Sequence, residues 1–237
     1  MTKARSDSAR NPVCVALDFA DAREIRSMAR AVEDSVGVYK VGLTAIYGAG
    51  TDLVSELSAA RPVFVDAKLH DIPAQVAGAT GAIANLGARF VTVHAAGGFD
   101  MVKAAVGAAG ESLKVLAVTV LTSLDDAELE QLGITGPMGA TVLRLAERAL
   151  DAGADGLVCS PLEVAAMRRR FGVGPELVVP GIRPAGSGPD DQRRTLGPRE
   201  AMDAGADLLV VGRPITAASD PGRAALEILE EAASGRT

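Results

Sequence analysis

One phrase recurs along this chain and restricts what it can fold into. Asn85-Leu86-Gly87-Ala88-Arg89 runs into the apolar stretch Phe90-Val91-Thr92-Val93-His94. Asp151-Ala152-Gly153-Ala154-Asp155 runs into Gly156-Leu157-Val158-Cys159, and Asp203-Ala204-Gly205-Ala206-Asp207 into Leu208-Leu209-Val210-Val211-Gly212. In each, a helix is expected to end at the glycine, which takes the left-handed conformation without steric cost, and a strand to begin just beyond it. Five more apolar runs read as strands. They are Val13 to Leu17 (closed by Asp18), Val38 to Gly42, Val63 to Val65, Lys114 to Leu121 and Leu177 to Pro180. Continuous apolar runs suit strands buried on both faces, as in parallel sheets. Ile25, Met28, Ala29 and Val32 recur at helical spacing behind an Asp21 cap, and helical pattern is expected over 45–60, 72–86, 138–152, 161–171 and 220–234. Strands alternating with helices imply right-handed crossovers and a parallel sheet. Eight such units predict an α/β fold, a single-domain (β/α)8 barrel over residues 13–237. An open doubly wound sheet is disfavoured, because no Gly-x-Gly-x-x-Gly follows the first strand.

Composition narrows the partners. The formal charge of −6, the absence of Trp and an aromatic content of 3% argue against nucleic acid or an anionic membrane. No apolar run reaches the roughly 18 residues of a membrane span. Residues 1–12 are polar, lack the apolar core of a signal peptide, and are expected to form a disordered tail on a cytoplasmic protein. Cys14 and Cys159 sit far apart inside strands, which predicts buried reduced thiols.

The chemistry concentrates in Val63-Phe64-Val65-Asp66-Ala67-Lys68-Leu69-His70-Asp71-Ile72-Pro73. Residues two apart on a strand point the same way, so Asp66 and Lys68 share a face, with Asp71 in the following loop. A surface salt-bridge cluster is the commoner fate of such residues. However, lysine occurs at only five positions: Lys3, Lys40, Lys68, Lys103 and Lys114. In barrels of this kind the active site lies at the C-terminal strand ends. Those ends carry Asp18, Lys40, Asp66 with Lys68, His94, Thr122, Arg183 and Arg213. Strand parity puts Asp18, Lys40, Asp66 and Lys68 in the barrel mouth as an array of alternating charge. Pro180-Gly181-Ile182-Arg183-Pro184 follows the seventh strand and Gly212-Arg213-Pro214 the eighth, where such barrels grip phosphate with a short helix. Gly212 lets backbone approach an anion, and Arg213 offers a planar fork. His70 and His94 lack a partner at metal spacing, and the interspersed lysines offset Asp18, Asp66 and Asp71, so a metal-free site is expected.

With these segments in order, the chain resembles the orotidine 5′-monophosphate decarboxylases over residues 13–235. The motif Asp-x-Lys-x-x-Asp-Ile-Pro stands at Asp66 to Pro73. Ala16-Leu17-Asp18, Tyr39-Lys40-Val41-Gly42, Val118 to Ser123, Pro180 to Pro184, Asp190 to Arg194 and Val210 to Pro214 support it. The resemblance implies decarboxylation of orotidine 5′-monophosphate to uridine 5′-monophosphate in pyrimidine synthesis, without a cofactor. It implies that Lys68 is the proton donor beside Asp66, and that Asp18 and Lys40 bind ribose hydroxyls. It places Thr122 on the pyrimidine and Arg183, Gln192, Gly212 and Arg213 on the phosphate, and counts Ile72 and Pro180 among the substrate contacts. It also implies a homodimer in which Asp71 reaches the partner's site. The chain departs from the family at Pro73-Ala74-Gln75, where Gln75 replaces the usual Thr. A metal-dependent keto-sugar-phosphate decarboxylase, an aldol-type synthase and a non-catalytic nucleotide-binding barrel remain as alternatives.

Overall fold

The computed structural model describes residues 11–184 and 195–234. Eight parallel strands close into a barrel in chain order, with the first hydrogen-bonded to the eighth. They are β1 (Val13–Ala16), β2 (Val38–Gly42), β3 (Val63–Leu69), β4 (Phe90–His94), β5 (Lys114–Val118), β6 (Gly156–Val158), β7 (Glu176–Val179) and β8 (Leu208–Val211). The helices outside are α1 (Ala22–Val32) after β1, then α2 (Leu43–Ala49) and α3 (Asp52–Ser58) after β2. Next come α4 (Pro73–Asn85), α5 (Phe99–Ala109), α6 (Asp126–Gln131), α7 (Met138–Asp151) and α8 (Val164–Phe171). Finally, α9 (Pro198–Asp203) precedes β8, and α10 (Arg213–Thr216) and α11 (Pro221–Ala233) follow it. Asp21 caps α1 by accepting from the amides of Arg23 and Glu24.

Strand alternation divides the core in two. Cys14, Ala16, Val38, Phe64, Phe90, Leu116, Val178, Leu208 and Val210 fill the barrel. Val13, Val15, Leu17 and the other outward residues pack beneath the helices. The recurring phrase has a shared geometry. Gly87, Gly153 and Gly205 are all left-handed, with φ of 80°, 99° and 107°. The amides of Arg89, Asp155 and Asp207 then donate to the carbonyls of Val63, Val115 and Leu177, stitching each new strand to the start of an earlier one. Asp155 and Asp207 add a second tie, each carboxylate accepting from the amide of that same earlier residue at 2.9 and 2.8 Å. Arg168 of α8 braces the last unit through Gly205, Pro175 and Asp207.

Two expectations need correction. The helix expected over 45–60 is two helices, because Gly50 turns the chain at φ 87° between α2 and α3. The polar tail expected through Pro12 stops short of it. The Asn11 side chain donates to the Ser35 carbonyl and accepts from the Val13 amide, while the Pro12 carbonyl accepts from the Leu209 amide, so both residues belong to the barrel edge. Residues 1–10 lie outside the described residues. Cys14 and Cys159 are free and buried, as expected.

At the N-terminal strand ends, Lys114 pairs with buried Glu176 at 2.6 Å and lies 5.8 Å from the Phe90 ring centre. A charge pair in the barrel floor is structural, because ligands approach such barrels from the other end. The Asp155 ties give a measurable expectation. Asp155→Ala leaves the amide of fully buried Val115 without its side-chain partner, and chemical denaturation should show a loss of about 1–3 kcal/mol.

Candidate active site

The C-terminal strand ends surround a pocket of about 780 Å³, within the usual range for small-molecule sites of roughly 300–1,000 Å³. Asp18, Lys40, Asp66, Lys68, Thr122, Pro180, Arg183, Gly212 and Arg213 all line it, drawn from the ends of six of the eight strands. All nine are among the site residues expected above, Pro180 through the resemblance alone. Gln192 lies outside the described residues.

The four charges form a continuous chain. Lys40 Nζ donates to Asp18 Oδ1 at 2.9 Å and lies 3.6 Å from Asp66 Oδ2. Lys68 Nζ contacts both Asp66 oxygens at 2.8 Å. Burial alone would depress the Lys40 ammonium, but the carboxylates of Asp66 and Asp18 outweigh it and hold Lys40 above its ordinary value. Burial alone would raise the Asp66 carboxyl. Lys40 and Lys68, with hydrogen bonds from Lys68 and Thr92, instead hold it below the ordinary carboxylate range. Gly42 leaves room beside this chain. A Cβ there would sit 2.7 Å from Asp18 Oδ1 and 3.1 Å from Lys40 Nζ.

Asp66 and Lys68 do meet, but not by simple alternation. The β3–β4 register passes from Val65 opposite Val91 to Leu69 opposite Val93, so Asp66, Ala67 and Lys68 together face only Thr92. Lys68 absorbs the bulge at φ 49°, the only positive φ at a non-glycine among the described residues. Such a conformation costs on the order of 1–3 kcal/mol and clusters at functional sites. Ala67 turns away and packs against the outer core. Thr92, fully buried, accepts from the Lys68 amide and donates to Asp66 Oδ1, both at 2.9 Å. Sequence reasoning missed it. The available signal was a lone hydroxyl within the apolar run of β4, at the same parity as inward-facing Phe90.

The histidines stand beside the pocket without lining it. Their rings are 5.4 Å apart, and burial, then His70 and Lys68, keep the half-buried His94 below its ordinary value. Asp71 and Ile72 do not line the pocket either. Asp71 is exposed and accepts from the Ile72 amide, and Ile72 is 64% exposed. Gln75 is exposed on the first turn of α4. Gly212 introduces the four-residue helix α10, the short helix expected after the eighth strand. Among the described residues, no three His, Cys, Asp or Glu side chains converge as a metal site would require, and no helix is long and apolar enough to cross a membrane.

The lowered Asp66 carboxyl sets a pH expectation. A carboxylate held low when folded contributes stability fully present above its unfolded value of about 4 and lost as pH falls through the folded value. The difference in unfolding free energy between wild type and Asp66→Asn should therefore be constant at neutral pH and narrow below about pH 4, as read from denaturation series. A difference independent of pH would contradict it.

Comparison with known proteins agrees with this geometry. A family model described as "Orotidine 5′-phosphate decarboxylase / HUMPS family" matches residues 11–228. A protein named orotidine 5′-phosphate decarboxylase from Anaeromyxobacter sp. (strain K) is 54% identical over 217 residues, covering 91% of this chain and 96% of its own. One of the same name from Thermobifida fusca (strain YX) is 50% identical over 222 residues, with 93% and 95% covered. The crystal structure of orotidine 5′-phosphate decarboxylase from Lactobacillus acidophilus superposes with a TM-score of 0.83 at 39% identity, covering 94% of this chain and 99% of that one. That from Pyrococcus horikoshii OT3 gives 0.76 at 26% identity, with 93% and 99% covered. This chain belongs to the orotidine 5′-phosphate decarboxylase / HUMPS family.

Proposed function

We propose that the protein decarboxylates orotidine 5′-monophosphate to uridine 5′-monophosphate in pyrimidine synthesis. The observation that carries this reading is the chain Asp18–Lys40–Asp66–Lys68 in one pocket with Arg183 and Arg213. In this reading the arginines and Gly212 hold the 5′-phosphate, with Gln192 as a further phosphate contact. Asp18 and Lys40 take the ribose hydroxyls, Thr122 and Pro180 flank the base, and Lys68 faces the reacting carbon.

The chemistry follows from where charge develops. When the bond from the ring carbon to the carboxylate breaks, its electron pair stays on the ring carbon, in an orbital the ring π system cannot delocalise. Carbon dioxide leaves, and Lys68 delivers a proton from Nζ to that carbon, later regaining one from water. Before transfer, the ammonium stabilises the developing negative charge. At ~4 Å in an effective dielectric of about 20, such a pair is worth roughly 4 kcal/mol. Large enzymic accelerations require up to about 23 kcal/mol. Most of the remainder falls to a preorganised charge array and to grip on the remote phosphate. Asp66 serves the array by fixing Lys68 through both carboxylate oxygens.

Asp71 and Ile72 stand exposed on the rim, with Leu43 and Tyr47 also exposed, at 48% and 85%. We propose that the protein is a homodimer in which Asp71 and Ile72 complete the site of the second copy.

Two measurements test these readings. Lys68→Ala should abolish the absorbance change that accompanies loss of the orotate chromophore, with its circular dichroism unchanged. Near-normal turnover by that variant would refute the assignment, and wild-type turnover that disappears with a chelator would favour a metal-dependent reaction instead. Mixing inactive Lys68→Ala with inactive Asp71→Ala should restore activity, because a mixed dimer contains one intact site. If Asp71 acts within its own subunit, mixing restores nothing.

A further inference from the structure

Among the described residues, the one positive φ at a non-glycine is the turn at Lys68, and the chemistry proposed above leaves open what maintains it. Three residues of β3 face one of β4, so the bulge has lost the ladder bonds that would otherwise fix it. The Lys68 amide donates instead to the Thr92 hydroxyl. An amide can only donate, so the hydroxyl oxygen must accept there. Its own proton is then available for Asp66 Oδ1, 2.9 Å away. One buried side chain thus ties the backbone of Lys68 to the carboxylate that holds the Lys68 ammonium.

We propose that Thr92 is a positioning residue of this site, whose hydroxyl holds the Lys68 turn and orients Asp66 so that the ammonium is presented to the reacting carbon. The proposal rests on the decarboxylase reading. Both of its hydrogen bonds serve the array, and neither touches the space the substrate would occupy, since Thr92 does not line the pocket. Its loss therefore acts on the chemical step and spares binding. The β-branch matters less than the hydroxyl, because serine supplies the same donor and acceptor. Several titratable groups face Asp66. Lys40 and Lys68 pair with it directly, Asp18 acts through Lys40, and Cys14 and His94 lie within electrostatic reach.

The test uses Thr92→Val, which keeps the shape and removes the hydroxyl, beside Thr92→Ser, with Thr92→Ala in place of the valine if that variant does not fold. Thr92→Val should lower kcat on the order of 10–100-fold. The KM for orotidine 5′-monophosphate should change by less than about threefold. The acid limb of kcat should move to higher pH, because Asp66 loses a hydrogen bond that favours its ionised form. Thr92→Ser should recover most of kcat. Wild-type kcat and acid limb in Thr92→Val, or equal losses in the valine and serine variants, would overturn the proposal. A crystal structure of Thr92→Val separates its failure from failure of the decarboxylase reading, since it needs no turnover. Lys68 should leave the left-handed region, and Lys68 retained at its positive φ would overturn the positioning role whatever the substrate.

Discussion

Two ammonium groups repel each other in a partly buried pocket unless a carboxylate lies between them. Asp66 fills that place, with Lys68 on both of its oxygens and Lys40 at 3.6 Å. Removing charges from water is costly, and their attraction offsets that cost only where geometry is tight and the remaining lone pairs are used. Each element of the site meets that condition. Asp18 takes the far side of Lys40, Thr92 takes a lone pair of Asp66, and Gly42 leaves room where any side chain would press on the pair. The Lys68 ammonium is thus held by a network of charges and hydrogen bonds rather than by Asp66 alone.

The barrel makes that arrangement affordable in conformational terms. The three left-handed glycines end their helices at equivalent points, and the amide two residues later locks the following strand to an earlier one. Aspartates reinforce two of these junctions, and Lys114 with Glu176 closes the floor. Regularity at the N-terminal strand ends leaves irregularity possible at the C-terminal ends. There β3 bulges, Lys68 takes an unfavourable backbone conformation and the loops after β7 and β8 bring in arginines. A closed, well-packed scaffold can hold such local strain because the cost is spread over the surrounding structure.

Much of this was legible in residue order. The apolar runs of β2 and β4 coincide with the expected strands, and inward parity correctly separated Cys14, Ala16 and Phe64 from Val13, Val15 and Leu17. Asp18, Lys40, Asp66, Lys68, Arg183 and Arg213 were identifiable because each lies in or just after an apolar run, toward the end where ligands bind in such barrels. The split at Gly50 was missed because helical periodicity runs across it, and only the left-handed backbone reveals the break. Thr92 was missed because a hydroxyl inside a strand is ordinary until the strand opposite it is known to slip.

The sequence by itself determined the number and order of the strands, the end of the barrel that carries the charged array and the types of charge placed there. These depend on local periodicity, glycine conformation and chain connectivity, which are properties of neighbouring residues. Only the tertiary structure decided how Asp66 and Lys68 meet. Period-2 alternation brings them to one face in an unbroken strand, but the real contact crosses a register shift held by Thr92, which comes from the adjacent strand. A hydrogen bond between residues 24 apart leaves no trace in the spacing of either, because its geometry exists only once the strands are paired.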